Sequence, residues 1–186
     1  LRSLGVIAVS LGGGEPLLRD DLGEIIGIFI KKGIQVRLLT NGILLKEDIL
    51  KDLVSRGLKD VSISLDTLSA DKQSYICAQD GAWDTIINSM NLIARTVPRR
   101  GRLLLVNTTV SRLNLDELPS LARFSGKLGY YISFVPIEPA NARHCGLQSE
   151  DYSGEFKITP EDHQTVDRSY GELIKMKKGR NNIFNS

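Results

Sequence analysis

Cysteine is scarce in this chain of 186 residues, which contains only Cys77 and Cys145. The two residues lie far apart, so neither a disulfide framework nor a C-x-x-C metal site is indicated. His144 precedes Cys145, but two adjacent residues without further ligands nearby are weak evidence for a metal site.

The chain also lacks long apolar runs. It lacks basic clusters of the kind that is typical of nucleic-acid binding. No apolar stretch approaches the length of a membrane span and the first residues lack a signal-peptide pattern, so we expect a cytoplasmic protein with no membrane partner. The basic clusters at 99–102 and 175–178 are not interleaved with aromatic residues, so no nucleic-acid partner is expected. With 41% hydrophobic and 25% charged residues, the composition predicts a globular protein with one main domain.

Glycine is concentrated in one loop, where residues 12–14 follow a strand-like apolar run and precede Glu15. The dinucleotide fingerprint G-x-G-x-x-G would need a glycine at Leu17, and the phosphate-binding loop would need a lysine that is absent. A carboxylate beside such a loop attracts an ammonium group, so Gly13, Gly14 and Glu15 favour a ligand with a free amino group. The alternative is a tight turn with Glu15 in the first turn of the next helix.

Strand-like runs alternate with amphipathic helical patterns along the chain, which predicts an α/β fold with a parallel sheet and right-handed crossovers. The fourth helical pattern opens with Asn114 and Glu117, the spacing of a capping pair. A last helix is predicted to begin with Thr159 as its N-cap, after a long loop over 137–158. Strands are predicted at 6–11, 34–40, 61–66, 103–110 and 131–135, and helical stripes at 22–30, 49–54, 83–97 and 115–128.

Polar residues follow every predicted strand, and the carboxyl ends of parallel strands are where βα proteins bind ligands. Alternation places Ser62, Ser64 and Asp66 on one face of the third strand. A polar face on an inner strand indicates a hydrated or ligand-filled space. Any one of these residues can be a helix cap or turn residue. Together they predict a binding site that includes Glu15, Asn41, Ser64, Asp66, Asn107, Thr109 and Glu138.

Four motifs, in this order and spacing, resemble those of the radical S-adenosylmethionine (radical SAM) enzymes. They are Gly13-Gly14-Glu15-Pro16-Leu17, Thr40-Asn41-Gly42, Ser64-Leu65-Asp66 and the segment from Asn107 to Asn114. The similarity covers about residues 1 to 138. It implies a parallel (β/α) partial TIM-like barrel that holds S-adenosylmethionine and a [4Fe-4S] cluster.

The resemblance also implies a role for each candidate site residue. Gly13, Gly14 and Glu15 would bind the methionyl amino group, in agreement with the ammonium preference above. The remaining positions are Ser64 and Asp66 near the methionyl carboxylate or ribose, Asn107 and Thr109 near the ribose, the backbone around Val135 to Ile137 against the adenine, and Asn41 lining the same cavity.

The chain departs from the family in one respect, since it contains no C-x-x-x-C-x-x-C cluster loop. The run from Val6 to Leu11 resembles the second strand of the family, so the first strand and the cluster loop are expected upstream of Leu1. The cysteines present cannot supply three thiolates, so we expect no metal ligands here and an inactive chain on its own. Residues 1–138 are then the barrel portion, and residues 139–186 a loop, terminal helix and connector leading towards a further C-terminal domain.

For the parent enzyme the resemblance implies reductive cleavage of S-adenosylmethionine to a 5′-deoxyadenosyl radical, which abstracts a substrate hydrogen. Peptides are one candidate class of substrate, and the implied electron donor is a protein such as flavodoxin or ferredoxin. Two alternatives remain open. One is a divalent-metal-dependent (β/α) barrel enzyme acting on sugars, with Glu15, Asp66 and Glu138 as oxygen ligands. The other is a non-catalytic nucleoside-binding module that regulates a partner.

Overall fold

The computed structural model describes residues 2–137, 156–179 and 182–184. Within them, five strands form one sheet in which every neighbouring pair is parallel and the order follows the sequence. A sheet that grows by sequential parallel strands is a segment of a (β/α) barrel, which confirms the predicted fold class. The strands are β1 (Ala8–Leu11), β2 (Gln35–Thr40), β3 (Asp60–Ser64), β4 (Leu103–Val110) and β5 (Tyr131–Pro136).

Helices cover one face of this sheet. The amphipathic stripes that predicted α1, α2 and α4 are buried in the core, as Ile26, Leu50 and Met90 illustrate. The capping box between Thr159 and Asp162 confirms the predicted start of the last helix through a short 3₁₀ turn at Pro160–Asp162. The helices are α1 (Leu22–Lys31), α2 (Glu47–Ser55), α3 (Ala70–Cys77), α4 (Ala82–Thr96), α5 (Leu118–Lys127) and α6 (His163–Lys178).

The two faces of the sheet differ in character because alternate side chains of each strand point to opposite sides. The face against the helices is apolar and buried, with Leu38, Ile63 and Val106 at its centre. Burying such side chains contributes about 1.5–3 kcal/mol each. The opposite face, here called the open face, carries Ser10, Arg37, Leu39, Asp60, Ser62, Ser64, Leu103, Leu105, Asn107, Thr109, Tyr131, Ser133 and Val135.

Two expectations about the helices are corrected by the structure. The segment of α3 was not predicted as a helix because it lacks an apolar stripe, and its buried residue is the polar Gln73. The predicted capping pair is wrong, since α5 begins at Leu118 and no side chain caps it. Asn114 and Glu117 instead turn towards the loop after β3.

The C-terminal residues 182–184 pair with the outer edge of β5. The Ile132 N–H donates to the Asn182 carbonyl over 2.8 Å, and the Phe184 N–H donates to the Ile132 carbonyl over 2.7 Å. The Asn182 side chain donates to the carbonyls of Ala122 and Tyr130. This short segment therefore continues the sheet by one more extended stretch. Most of the predicted loop, with Glu138, His144 and Cys145, lies outside the described residues.

None of the helices in the described part of the chain combines the length and the apolar character needed to cross a bilayer.

Candidate functional site at the carboxyl ends of the strands

A cavity of about 230 Å³ lies at the carboxyl ends of β1 to β4. Of the ten predicted site residues, Gly13, Gly14, Asn41, Ser64 and Asn107 line it together. These five residues come from four separate βα units, so the fold brings them to one place, as the pattern of polar strand ends predicted. The remaining lining residues are Gly12, Leu39, Thr40 and Ser62.

The glycine loop forms one wall of the cavity and depends on the absence of side chains. Gly13 has a φ of +137°, a conformation that residues with a Cβ rarely adopt. A Cβ built on Gly14 would meet no other atom within 4 Å. Glycine at position 14 therefore leaves space open in the cavity, and it is not needed to avoid a clash with other protein atoms.

Glu15 holds this loop against the end of β2. Its carboxylate accepts hydrogen bonds from the Leu17 N–H at 3.0 Å, the Thr40 hydroxyl at 2.8 Å and the Asn41 N–H at 2.8 Å. Glu15 is also the N-cap of a short 3₁₀ helix at Pro16–Leu18, so the turn interpretation describes part of its role. A carboxylate offers about four acceptor sites, and three of them are used within the protein.

The loop after β2 presents the Asn41 side chain to the cavity. The Asn41 Oδ1 atom accepts the Ile43 N–H over 2.9 Å, which fixes the side chain in an Asx turn. Gly42 follows with a φ of +79° and packs against Ile63. The Asn41 amide is thereby oriented by local contacts before any ligand arrives.

Serine and asparagine side chains on the open face form the rest of the polar lining. Ser64 and Asn107 are direct neighbours in the register of β3 and β4, and both line the cavity. Ser62 lies two residues deeper, is 1% exposed and has a hydroxyl without a hydrogen-bond partner. A buried hydroxyl without a partner is costly, so this position is suited to a ligand that completes the hydrogen bond.

Asp66 lies next to the cavity but does not line it. The strand ends at Ser64, so the period-two pattern no longer holds at position 66, and the Asp66 carboxylate accepts the Thr109 N–H over 2.6 Å. Burial raises the pKa of Asp66 to about 6, and the hydrogen bond from Thr109 opposes this shift. Asp66 is therefore a partly buried carboxyl at the same edge of the sheet as Glu15.

Thr109, Val135 and Ile137 form the far side of this edge. Thr109 and Val135 are register neighbours on β4 and β5 and are both exposed. The Ile137 N–H donates to the Val110 carbonyl over 3.0 Å. These residues do not line the cavity, although they continue the row of strand ends beside it.

Two buried amide side chains fix the loop after β3, a role that the sequence predicts for neither of them. Gln73 in α3 accepts the N–H groups of Asp66 and Thr67, each over 3.1 Å. Asn114 donates to the carbonyls of Asp66 and Thr109 over 2.7 and 2.8 Å. Both residues are almost completely buried. They therefore lock the backbone on both sides of the Asp66 carboxylate.

Glu117 ties the same loop to the start of α5. Its carboxylate accepts from the Thr67 hydroxyl, the Leu68 N–H and the Lys72 ammonium, at 2.7, 2.8 and 2.7 Å. Burial alone would raise the pKa of Glu117, but these hydrogen bonds outweigh it and hold the pKa below its ordinary value. The only sequence signal for this link is the polar pair Asn114 and Glu117, whose spacing predicts a helix cap instead.

Across the described ranges, no group of three or more His, Cys, Asp or Glu side chains is placed to hold a metal ion. Glu15 and Asp66 are each engaged by protein hydrogen bonds, and Glu138 is outside the described residues. The sugar-processing metal enzyme therefore receives no support from these carboxylates.

A parallel sheet in sequential order, with a polar cavity at the carboxyl ends of its strands, defines the chain as a (β/α) barrel protein. Residues 1–125 match the family model of the Radical SAM superfamily. The chain belongs to the radical SAM superfamily, as the four motifs predicted.

Individual relatives agree with this assignment. The chain is 37% identical over 139 residues to a GTP 3′,8-cyclase of Aquifex aeolicus, covering 71% of this chain and 41% of the relative. It is 26% identical over 143 residues to a PqqA peptide cyclase of Granulibacter bethesdensis, covering 77% and 36%. Its fold is similar to that of Streptococcus suis SuiB bound to the precursor peptide SuiA, with a TM-score of 0.71, 18% identity and coverage of 98% and 38%.

The chain thus spans less than half the length of these relatives. Members of the superfamily use S-adenosylmethionine with a [4Fe-4S] cluster, and one solved structure with a similar fold is an anSMEcpe protein with bound AdoMet, at a TM-score of 0.71 and 16% identity.

Proposed function

We propose that the cavity at the carboxyl ends of β1 to β4 binds S-adenosylmethionine in a radical SAM enzyme of which this chain supplies most of the barrel. The observation that carries the proposal is that residues of four separate motifs line one cavity: Gly13 and Gly14, Asn41, Ser64, and Asn107. Backbone, amide and hydroxyl groups suit a ligand that has an ammonium, a carboxylate and a ribose.

Within this proposal, each part of the site has its own task, and the residues that line the cavity contact the ligand most directly. The glycine loop accepts the methionyl ammonium, and Glu15 supplies negative charge beside it while holding the loop in place. Ser64 and Asn107 donate hydrogen bonds to the carboxylate or ribose. Asp66 and Thr109 flank the ribose, and the backbone of Val135 to Ile137 lies against the adenine.

The residues described here fit S-adenosylmethionine but do not supply a [4Fe-4S] cluster. Cys77 is the one cysteine among them, and its Sγ accepts a hydrogen bond from the Gln73 amide over 3.2 Å. A cluster needs thiolate ligands that converge on it, so we derive no step through the cluster from this chain. In the whole enzyme the cofactor supplies the 5′-deoxyadenosyl radical that abstracts a substrate hydrogen, and this chain orients the cofactor.

The substrate and the electron donor belong to the same proposal. A peptide is supported as a substrate class by the likeness to the PqqA peptide cyclase, and a flavodoxin or ferredoxin is the type of donor that we propose. Both assignments concern the full-length protein. We also propose that this protein is cytoplasmic.

The decisive experiment measures S-adenosylmethionine binding to the full-length protein by calorimetry. Ser64→Ala and Asn107→Ala each remove one hydrogen-bonding group from the cavity, so we expect the affinity to fall about tenfold for each. Matched controls are Ser55→Ala and Asn88→Ala, which alter exposed residues of α2 and α4 and are expected to leave the affinity unchanged.

Unchanged affinity in both cavity variants would contradict the proposal. In that event, binding of a nucleoside without the methionyl group would favour the non-catalytic nucleoside-binding module, whose affinity depends on the ribose and adenine contacts alone.

A further inference from the structure

Arg37 is a cation on the open face of the sheet and forms no ion pair with the described residues. It lies between Ser10 and Asp60 in the register of β1, β2 and β3. No ion pair joins Arg37 to Asp60, and the Asp60 carboxylate accepts the Leu103 N–H over 2.8 Å instead. The Arg37 Nε atom is buried and has no hydrogen-bond partner.

An aromatic pair holds the Arg37 guanidinium in place without neutralising it. The guanidinium carbon lies 6.0 Å from the ring centre of Phe184, and the Phe184 ring meets the Tyr131 ring edge-on at 6.4 Å. Phe184 belongs to the segment that pairs with β5. The contact therefore joins β2 to the far edge of the sheet, and a cation–π contact leaves the N–H edge of an arginine free for an acceptor.

A second buried polar group without a partner, the Ser62 hydroxyl, lies on the open face at the end of the cavity that is nearer to Arg37. Ser62 is next to Leu39 in the register of β2 and β3, one step along the strands from Arg37 towards the cavity. Of the four buried side-chain polar atoms without a partner in the described ranges, two are Arg37 Nε and Ser62 Oγ. Both atoms lie on neighbouring strands of one face, where a bound ligand would supply the acceptor that each of them lacks.

The distance along β2 places Arg37 outside the proposed cofactor site. Arg37 does not line the cavity, and it lies two residues before the cavity-lining Leu39 on β2, which corresponds to roughly 7 Å at the rise of a strand. A molecule bound at Arg37 would therefore lie beneath the cofactor, which is the place of the substrate in the proposed function.

We infer that Arg37 binds an anionic group of the substrate, a carboxylate or a phosphate, on the open face below the S-adenosylmethionine cavity. That the bound molecule is the substrate rests on the proposed function. The anion site itself rests on the geometry of Arg37. A guanidinium stays protonated at every accessible pH and binds planar or tetrahedral oxyanions through paired N–H donors. Its unused Nε donor is the group that such an oxyanion accepts from.

The test observes the arginine Nε–H signals of the ¹⁵N-labelled full-length protein during titration with two probes, N-acetyl-glutamate α-amide and inorganic phosphate. Loss of one signal in Arg37→Lys assigns Arg37. We expect this signal to shift in a saturable manner with at least one probe, while the signal of Arg168, an exposed arginine in α6, stays in place. A response to one probe alone identifies the anion class, carboxylate or phosphate.

Calorimetry with the responsive probe gives the second readout. Arg37→Gln is expected to weaken its binding about tenfold or more, whereas Arg168→Gln serves as the matched control and is expected to have no effect. The melting temperature of Arg37→Gln is measured in parallel, so that a loss of anion binding is distinguished from a loss of folding. An Arg37 signal that moves no more than the Arg168 signal with either probe would overturn the inference.

The same variant separates this inference from the proposed function. Binding of S-adenosylmethionine to Arg37→Gln is expected to match the wild type, because Arg37 does not line the cofactor cavity. Failure of the wild type to bind S-adenosylmethionine would end the proposed function, yet it would leave the anion titration of Arg37 interpretable by itself.

Discussion

Gly14 is a single residue at which a substitution is expected to affect ligand binding without affecting folding. It lines the cavity, and a side chain added there would meet open space rather than protein atoms. Gly13 differs, since its φ of +137° requires glycine for the backbone itself. Neighbouring glycines in one loop thus serve different physical needs.

We expect Gly14→Ala to lower the affinity for S-adenosylmethionine about tenfold while changing the free energy of unfolding by less than about 0.5 kcal/mol. Gly27→Ala is the matched control, because a Cβ there also meets open space but within α1. It is expected to stabilise the protein by up to about 1 kcal/mol and to leave binding unchanged. Calorimetry and urea unfolding of the same samples provide both readouts. Equal affinity in Gly14→Ala and the wild type would show that the glycine loop does not contact the ligand.

Single residues were predictable where a local rule applied to them. The alternation of Ser62 and Ser64 along β3 and the glycine loop after β1 were predicted from the sequence and line the cavity. The same alternation was extended too far at Asp66, because the strand ends at Ser64 and the chain then follows hydrogen bonds to Gln73. The contact of Arg37 with Phe184 had no sequence signal, since the two residues are 147 positions apart.

Among the secondary-structure elements, α3 and the start of α5 are joined to the loop after β3 by polar side chains. Lys72 in α3 donates to Glu117 over 2.7 Å and to the Leu113 carbonyl over 2.9 Å. These partners are more than 40 positions apart in the sequence. Periodicity reports only which side of a helix is apolar, so it predicted α1, α2 and α4 but could not predict a helix whose buried residue is Gln73.

We expect Glu117→Ala to destabilise the protein by about 2–4 kcal/mol, because the Leu68 N–H and the Lys72 ammonium lose their acceptor in a partly buried place. The matched control is Glu172→Ala, which removes a surface ion pair with Arg123 and is expected to cost about 0–1 kcal/mol. Urea unfolding measures both changes. A cost for Glu117→Ala no larger than that of the control would show that the α3–α5 link contributes little.

At the scale of the whole molecule, Asp66 gives the global stability a distinctive pH dependence. Burial raises its pKa from 3.8 to about 6, so between these values the folded state binds more protons than the unfolded state. The contribution of Asp66 to the free energy of unfolding therefore decreases as the pH rises through that window, and it stays lower at higher pH. Glu117 acts oppositely, since its lowered pKa makes its stabilisation disappear as the pH falls below 4.5.

We expect Asp66→Asn to raise the free energy of unfolding by up to about 3 kcal/mol above pH 6, because an amide keeps an acceptor for the Thr109 N–H without the buried charge. Below pH 4 the variant and the wild type are expected to be equally stable. Urea unfolding between pH 3.5 and about 7.5 measures the difference, in which the contribution of Glu117 cancels. A difference that does not change with pH would contradict the raised pKa.

Sequential pairing of the strands also sets the order in which this site can be assembled during synthesis. Every strand pairs with the one made just before it, so each βα unit has a finished edge to join as it leaves the ribosome. The residues that line the cavity end at Asn107, so all of them are synthesised before β5 and α6. Ligand present in the cell can then stabilise the nascent sheet before α6 exists.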